Sequence, residues 1–199
     1  MKYLALDIET TGLDPQKDQI LQIGMVVDDT ENPKPVEELP KLNLFIKHER
    51  YEGSSFALAM NTWILDILNS TSEPPEGSSI VNSEVLSAGV YLDEDGYLAH
   101  TNNPVLKFLF DNFKDLTEKI TVAGKNAAGF DVPFLPDAIT NAFDHRVIDV
   151  GSMYLRKEDK KVPGLKTCLS RASLLNEVSH DALDDALDVV KLVRYHFGV

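Results

Sequence analysis

The sequence has little cysteine and no long hydrophobic run. Its 199 residues include one cysteine, Cys168, which excludes an internal disulfide and is typical of a reducing compartment, so we expect a cytoplasmic protein. No segment approaches the roughly 18 consecutive apolar residues of a membrane span, and we therefore expect no membrane partner. The first strand-like segment reaches Asp7 too early for the apolar region of a signal peptide, so none is expected.

Basic residues are also scarce. The chain has 19 Lys+Arg against 32 Asp+Glu, a formal net charge of −13. Because nucleic acids are polyanions, this balance taken alone argues against a nucleic-acid partner. The charge is uneven, however, since residues 1–100 hold 6 basic and 18 acidic side chains, whereas residues 146–171 hold seven basic and three acidic ones. The simplest interpretation of the charged run at 156–161 is a solvated loop.

The apolar pattern predicts a single α/β domain over residues 1–199. Alternating apolar residues indicate three strands joined as an antiparallel meander, and helices then alternate with further strands, as in a mixed sheet layered with helices. Residues 69–103 match no known pattern and form a candidate insertion, with a hairpin turn at 93–96. The predicted strands span 3–9, 19–28, 42–47, 120–125 and 146–150, and the predicted helices span 56–68, 104–116, 132–141, 166–175 and 181–197.

Two carboxylates lie at the end of the first predicted strand. Asp7 and Glu9 are two residues apart, so both side chains point to one face, while Leu6 and Ile8 point to the other. A polar strand end that faces water would have the same pattern. The segment Thr10-Thr11-Gly12 follows directly, and small residues with a glycine allow backbone N–H groups to approach a ligand closely.

Three segments, in order along the chain, resemble the motifs of the DnaQ-like 3′→5′ exonucleases. The first is Asp7-Ile8-Glu9-Thr10-Thr11-Gly12-Leu13, and the second is Asn126-Ala127-Ala128-Gly129-Phe130-Asp131. The third, His180-Asp181-Ala182-Leu183-Asp184-Asp185-Ala186, has the His-plus-five-Asp spacing of the DEDDh branch. One such match would be a weak signal, but three in family order cover the chain from residue 7 to residue 186. Asn126 departs from the family by lying five residues before Asp131 instead of four, which leaves its role open.

The resemblance implies a two-metal active site. Hydrolysis of a phosphodiester needs an activated water and stabilisation of the leaving oxygen, which two divalent ions about 3.5–4 Å apart can provide. Carboxylate ligands point to two Mg²⁺, with Mn²⁺ able to substitute. The resemblance assigns the bridging position between both ions to Asp7, the rest of the first site to Glu9 and Asp185, the second site to Asp131, and general-base catalysis to His180.

Other roles for some of these residues stay open. Asp131 and Asp181 are both good helix N-caps, and the choice of Asp185 over Asp184 rests on the family spacing. The resemblance also implies that backbone groups around Thr10, Thr11 and Gly12 hold the terminal 3′ nucleotide and that Leu13 wedges against the last base. Phe130 belongs either to this pocket or to the hydrophobic core. Basic residues of the 156–166 loop are candidate phosphate contacts.

The fold implied is ribonuclease H-like, with a mixed five-stranded sheet in the order 3-2-1-4-5 in which only strand two is antiparallel. We expect a metal-dependent 3′→5′ exonuclease that releases nucleoside 5′-monophosphates from single-stranded 3′ ends, with DNA favoured over RNA. An exoribonuclease resembling oligoribonuclease or ribonuclease T is the alternative among enzymes. A non-catalytic nuclease-like module that docks on a DNA polymerase or another replication or repair partner is the alternative of another class. The complete set of carboxylates favours an enzyme.

Overall fold

The structure is a computed structural model that describes residues 1–88, 91–92, 98–113, 118–174 and 180–199. Within these residues, no helix is long and apolar enough to cross a membrane. Two short 3₁₀ helices cover Val36–Glu38 and Ser83–Ser87. The strands are β1 (Lys2–Thr10), β2 (Ile20–Asp29), β3 (Lys41–Lys47), β4 (Ser79–Asn82), β5 (Tyr91–Leu92), β6 (Leu98–His100), β7 (Ile120–Gly124) and β8 (Phe143–Asp149). The α-helices are α1 (Ser55–Met60), α2 (Thr62–Leu68), α3 (Pro104–Asn112), α4 (Asp131–Phe134), α5 (Asp137–Thr140), α6 (Val150–Met153), α7 (Leu165–Arg171) and α8 (Ala182–Phe197).

The main sheet among the described residues has six strands in the order β4-β3-β2-β1-β7-β8. Strand β2 is antiparallel to both neighbours, and the other pairs are parallel, so the predicted order and the predicted antiparallel strand are confirmed. The predicted number of five strands is wrong, because β4 adds a sixth strand beside β3. Sequence patterns miss β4 because this short strand, Ser-Ile-Val-Asn, lies at the sheet edge with little burial and no alternation of buried residues.

The two faces of β1 belong to two different hydrophobic clusters. Leu4, Leu6 and Ile8 pack into the cluster that includes α3, whereas Tyr3 and Ala5 pack into the cluster formed with α7 and α8. Because strand side chains alternate, Asp7 and Glu9 lie on the α8 side of the sheet. The alternation predicted for this strand is therefore observed, and it directs both carboxylates toward the long carboxy-terminal helix.

Two predicted helices are each divided in two. The helix predicted at 56–68 is interrupted at Asn61, whose backbone leaves helical geometry (φ −96°, ψ 23°), so that α1 and α2 are separate. The helix predicted at 132–141 is divided at Leu135, which is extended because Pro136 follows it. Strand β8 begins three residues before its predicted start. The hairpin turn at 93–96 and the predicted helical positions 114–116 and 175 lie outside the described residues.

Helix α8 packs closely against β1 and β2. At its carboxy-terminal half, Arg194 forms a two-pronged ion pair with the buried Asp28 of β2 (2.7 and 2.9 Å), which also accepts a hydrogen bond from the Tyr3 hydroxyl (2.8 Å). At its start, the backbone of Ala182 lies directly over Gly24 of β2, where a Cβ atom would overlap the Ala182 carbonyl group. Gly24 therefore serves the close packing of α8 on β2.

We expect Gly24→Ala to destabilise the protein, because the added methyl group would meet backbone atoms of Ala182 that cannot rotate away. The expected loss in the free energy of unfolding is about 3 kcal/mol or more, the upper range for overpacking. Urea denaturation of the two proteins measures it. Gly164→Ala is the matched control, since nothing lies within 4 Å of a Cβ there, and it should cost less than about 1 kcal/mol. Equal losses in the two variants would contradict the close-packing role.

Candidate active site

Three carboxylates meet at the end of β1. Oxygen atoms of Asp7, Glu9 and Asp185 all lie within 4.8 Å of one another. Each of the three side chains is partly buried. Strand β1 supplies the first two residues and the first turn of α8 supplies the third. The close packing of α8 at Gly24 is what allows the third carboxylate to reach the strand. Asp184, the neighbouring candidate, is exposed.

Asp131 is joined to the same strand by a hydrogen bond. The backbone N–H of Ile8 donates to Asp131 Oδ1 at 3.0 Å, and the Asp131 side chain is almost completely buried. The N-cap position of α4 is Phe130, so the alternative role of Asp131 as a helix N-cap is wrong. Instead, its carboxylate lies against the β1 backbone at Ile8, the residue between Asp7 and Glu9. The structure thus brings all four predicted acidic residues to one end of the sheet.

The loop between β7 and α4 delivers Asp131. Asn126 adopts a left-handed backbone conformation (φ 63°), which asparagine tolerates better than most residues. Its N–H donates to Asp149 Oδ1 (3.0 Å), and its carbonyl accepts from the N–H groups of Gly129 and Phe130. Asn126 therefore shapes the turn, although it lies one residue further from Asp131 than in the family motif.

The start of α8 is fixed by its cap and by β2. Asp181 is the N-cap, with its carboxylate accepting from the N–H groups of Leu183 and Asp184, so the alternative capping role for Asp181 is confirmed. Gln22, fully buried in β2, donates to Asp181 Oδ2 (3.2 Å) and accepts from the Ala182 N–H (3.1 Å). This contact joins the third motif to the strand next to β1.

His180 precedes this cap and is exposed. Its backbone is left-handed (φ 50°), a conformation that costs a non-glycine residue roughly 1–2 kcal/mol. Such strain in native proteins clusters at functional sites, and an imidazole placed one residue before the α8 cap can approach the acidic cluster from the solvent side.

The segment after Glu9 forms a closed loop with an exposed tip. A β-bulge follows Glu9, and such irregularities are common beside active sites. Thr11 is buried and bonds Gln19 through both its backbone and its hydroxyl group (2.9 Å each), while the Thr10 hydroxyl donates to the Gly12 carbonyl (2.6 Å). Leu13 is left 83% exposed at the tip. Phe130, in contrast, packs partly against the hydrophobic core and the Phe134 ring.

Burial and mutual repulsion raise the pKa of every carboxyl group in the cluster. Burial, together with the charges of the neighbouring acids, raises the pKa of Asp7 well above its ordinary value. Burial and the charge of Asp185 raise the pKa of Glu9 to about 8. Burial raises the pKa of Asp131 to about 7, against the opposing hydrogen bond from Ile8, and the pKa of Asp185 to about 7. These carboxylates lack sufficient positive charge from the protein.

The cluster fits hard divalent cations. Its ligand atoms are all carboxylate oxygens, the donors that Mg²⁺ and Mn²⁺ prefer. Asp185 Oδ1 is buried without any hydrogen-bond partner in the structure, and such an orphaned anionic oxygen needs a cation or a donor beside it. Asp7, Glu9 and Asp185 are therefore the residues that could hold a metal, with Asp131 beside them.

Comparison with known proteins agrees with this geometry. Residues 4–68 match the model of the RNase_T family, described as an exonuclease. An oligoribonuclease of Neisseria meningitidis serogroup A is 24% identical over 196 residues, which cover 96% of this chain and 88% of the relative. The chain is thus similar to exonucleases over its first strands and helices and to an oligoribonuclease over nearly its whole length.

Two solved structures show that the fold is shared across the whole chain. Cell-death related nuclease 4 (CRN-4) superimposes with a TM-score of 0.64 and 11% identity over 99% of this chain. Escherichia coli Exonuclease I, solved in complex with a dT13 oligonucleotide, superimposes with a TM-score of 0.60 and 14% identity over 97% of this chain. This chain spans 64% of the length of the first protein and 40% of the second.

Sequence reasoning missed two polar residues that support this acidic site. Gln22 lies in an otherwise apolar strand, and Asn61 interrupts an apolar helical pattern. The Asn61 amide donates to the Thr10 carbonyl (3.1 Å) and to the Glu9 carboxylate, where it opposes the rise in the pKa of Glu9. Each was recognisable only as a polar residue in an apolar segment, a signal that does not identify its partner.

We expect Mn²⁺ to bind more tightly as the pH rises from 6 to 8, because protons and cations compete for carboxyl groups with pKa values of about 7 and 8. The affinity should increase by about tenfold or more, since each displaced proton contributes up to a factor of ten per pH unit. Titration calorimetry in two buffers with different heats of ionisation measures both the affinity and the protons released. Asp185→Asn should bind more weakly, and a pH-independent affinity of the wild-type protein would contradict the cluster as the metal site.

Proposed function

We propose that this protein is a two-metal-ion 3′→5′ exonuclease that removes nucleoside 5′-monophosphates from single-stranded 3′ ends. The observation that carries the proposal is the meeting of Asp7, Glu9 and Asp185 within 4.8 Å, with Asp131 bonded to the same strand. A non-catalytic module would have no use for one buried and three partly buried carboxylates that repel one another, whereas a metal-dependent hydrolase requires them.

The acidic residues provide the ligands for the catalytic ions. Mg²⁺ ions held by Asp7, Glu9, Asp185 and Asp131 would supply a bound water of lowered pKa and positive charge beside the leaving oxygen. Asn61 holds the Glu9 carboxylate, and the Ile8 N–H holds that of Asp131, so both ligands are oriented before an ion arrives. Gln22 performs the same task for the start of α8, from which Asp185 projects.

His180 is the proposed general base. It is exposed, so its ring nitrogens are accessible to the attacking water and can accept its proton. Imidazole is the side chain that most often exchanges a proton near neutral pH. The left-handed backbone at this residue directs the chain into the Asp181 cap without burying the imidazole.

The loop after β1 is the proposed site for the terminal nucleotide. Thr10, Thr11 and Gly12 are held rigidly by their hydrogen bonds, and their backbone lies next to Glu9. The exposed Leu13 is available to pack against the last base, since an exposed leucine at a rigid loop tip loses little entropy on contact. Phe130 is partly buried in the core, so its contribution to this pocket is limited to its exposed edge.

The relatives support two candidate substrate classes. Exonuclease I is solved with a DNA oligonucleotide, but it matches over 40% of its length, whereas the relative named oligoribonuclease matches over 88% of its length. The near full-length match supports short RNA as a second candidate substrate beside single-stranded DNA. Hydrolysis of DNA and RNA strands of equal sequence, at lengths of two and twelve nucleotides, distinguishes the two candidates.

We expect Asp185→Asn to abolish hydrolysis of every substrate in that set, with a loss of at least about 10³-fold in kcat, because the third ligand of the cluster loses its charge. Asp184→Asn is the matched control, since it removes the same charge from an exposed neighbour outside the cluster, and it should keep kcat within about threefold. Release of mononucleotides is followed by chromatography. Equal losses in both variants would point to a general effect of charge on the helix and against the proposed metal site.

We expect His180→Ala to lower kcat by about 10²–10⁴-fold with little change in KM, the range for loss of a general base. His145→Ala is the control, because His145 is also exposed but lies on β8, and it should behave like the wild-type protein. A kcat of His180→Ala within about threefold of the wild-type value would contradict the role of His180 as the base.

A further inference from the structure

A basic surface lies beside the acidic site. It consists of Lys125, which follows β7, and the basic loop at 156–166, which precedes and enters α7. The basic loop carries Arg156, Lys157, Lys160, Lys161 and Lys166. Its composition alone is equally compatible with an ordinary solvated loop. Its position relative to the carboxylates is the observation that favours a binding role.

The basic loop is held in one conformation by an internal ion pair. Arg171 of α7 binds both carboxylate oxygens of Asp159 (2.6 Å each) and donates to the Tyr154 carbonyl (2.6 Å). Asp159 also accepts from the Arg156 N–H (2.8 Å). Asp159, one of the two acidic side chains of the loop, is thereby neutralised by Arg171 of α7, and Glu158 is the one remaining acid of the loop beside its four lysines.

Lys125 and the basic loop meet over α6. Val162 Cγ1 and the Lys125 side-chain carbons Cδ and Cε all lie within about 3 Å of the point where Gly151 would carry a Cβ. Only a glycine leaves room for both side chains. The aliphatic part of Lys125 therefore packs beside Val162, which brings this lysine to the base of the basic loop.

Lys125 lies close enough to the acidic cluster to influence it electrostatically, but it forms no ion pair with the carboxylates of the described residues. Its positive charge lowers the pKa of Asp131, opposing the larger effect of burial. Within the described part of the chain, however, no carboxylate lies within 4 Å of the Lys125 ammonium group, and the same holds for Lys157, Lys160, Lys161 and Lys166. These ammonium groups have no ion-pair partner in the described protein and are available for an anion.

The sheet order places this surface on the side of the cluster opposite to the nucleotide loop. The Thr10–Leu13 loop turns toward β2 and α1, as the bonds from Thr11 to Gln19 and Ser54 show. Lys125 follows β7, the neighbour of β1 on its other side. A nucleic-acid strand that continued across the sheet from a last nucleotide at the Thr10–Leu13 loop would pass the carboxylates and then reach Lys125.

We propose that Lys125 and the basic loop bind backbone phosphates of the substrate strand on the 5′ side of the cleaved bond. This inference rests on the proposed function for the direction of the strand. Ammonium groups bind phosphates without reading the base, so the surface contributes affinity and length dependence and no sequence preference. A dinucleotide, which has no phosphate beyond the cleaved bond, gains less from this surface than a longer strand.

The test is the binding of a fluorescein-labelled twelve-nucleotide deoxythymidine strand, measured by fluorescence anisotropy with Mg²⁺ over a series of NaCl concentrations. An Asp185→Asn background prevents hydrolysis. We expect Lys125→Met, which keeps the aliphatic packing on Gly151, and the double variant Lys160→Gln/Lys161→Gln to weaken binding by roughly two- to fivefold per lysine. The dependence of log Kd on log salt should become shallower by about 0.7 for each lysine that contacts a phosphate.

Lys34→Gln is the matched control, because this exposed lysine lies between β2 and β3 at the opposite end of the sheet. It should leave both the affinity and the salt dependence unchanged. In the active protein, Lys125→Met should raise KM for the twelve-nucleotide strand more than for the dinucleotide. An unchanged salt dependence in the lysine variants, or an equal change in Lys34→Gln, would overturn the inference. An inactive wild-type protein would contradict the proposed function, while the anisotropy experiment would still decide the role of the surface.

Discussion

The mutual repulsion of four carboxylates buried at one end of a sheet is the constraint on which the rest of this structure depends. Two carboxylates about 4 Å apart repel by about 4 kcal/mol at an effective dielectric constant of 20. Burial adds to this cost, and the pKa values of Asp7, Glu9, Asp131 and Asp185 are all raised. A raised carboxyl pKa means that the folded state holds protons that the unfolded state has lost, so stability falls as the pH rises toward the folded pKa. A divalent cation reverses this cost, since it replaces those protons.

Such a cluster requires that its carboxylates be held in fixed positions, and the packing of α8 fixes that of Asp185. Helix α8 is held at its start by Gln22 and in its last turns by the ion pair between Arg194 and the buried Asp28. Buried ion pairs are weak devices for stability, because desolvation offsets most of the attraction, but their geometry specifies one register. A sliding of α8 by one residue would separate this pair and would also remove Asp185 from Asp7 and Glu9. The ion pair at one end of α8 and the contacts at its other end therefore both prevent the helix from sliding along the sheet.

The part of this arrangement that local sequence determines could be predicted, and the part that tertiary contacts determine could not. Asp7 and Glu9 share a face because strand side chains alternate, and Asp181 caps α8 because aspartate accepts from free N–H groups; both follow from a few neighbouring residues. The interruption at Asn61 depends on partners 51 residues away in the chain, which no periodicity contains. Strand β4 depends on a free edge of β3. Family spacing selected Asp185, since helical geometry alone leaves Asp184 equally suitable until the packing of α8 is known.

The net charge of −13 no longer argues against a nucleic-acid partner once the positions of the charged residues are known. Acidic composition argued against a polyanionic partner on the assumption that all the charge acts at a distance, yet salt at physiological strength screens exposed charges beyond about 8 Å. A nucleic-acid strand at this site would encounter carboxylates balanced by cations at the cluster and unpaired lysines beyond it, while most of the excess acid lies in the first hundred residues. The charges within one screening length of the strand therefore determine whether it binds, and the overall negative charge mainly lowers the affinity. A nucleic-acid site of this design is therefore suited to transient binding of a few nucleotides and not to retention of long duplexes.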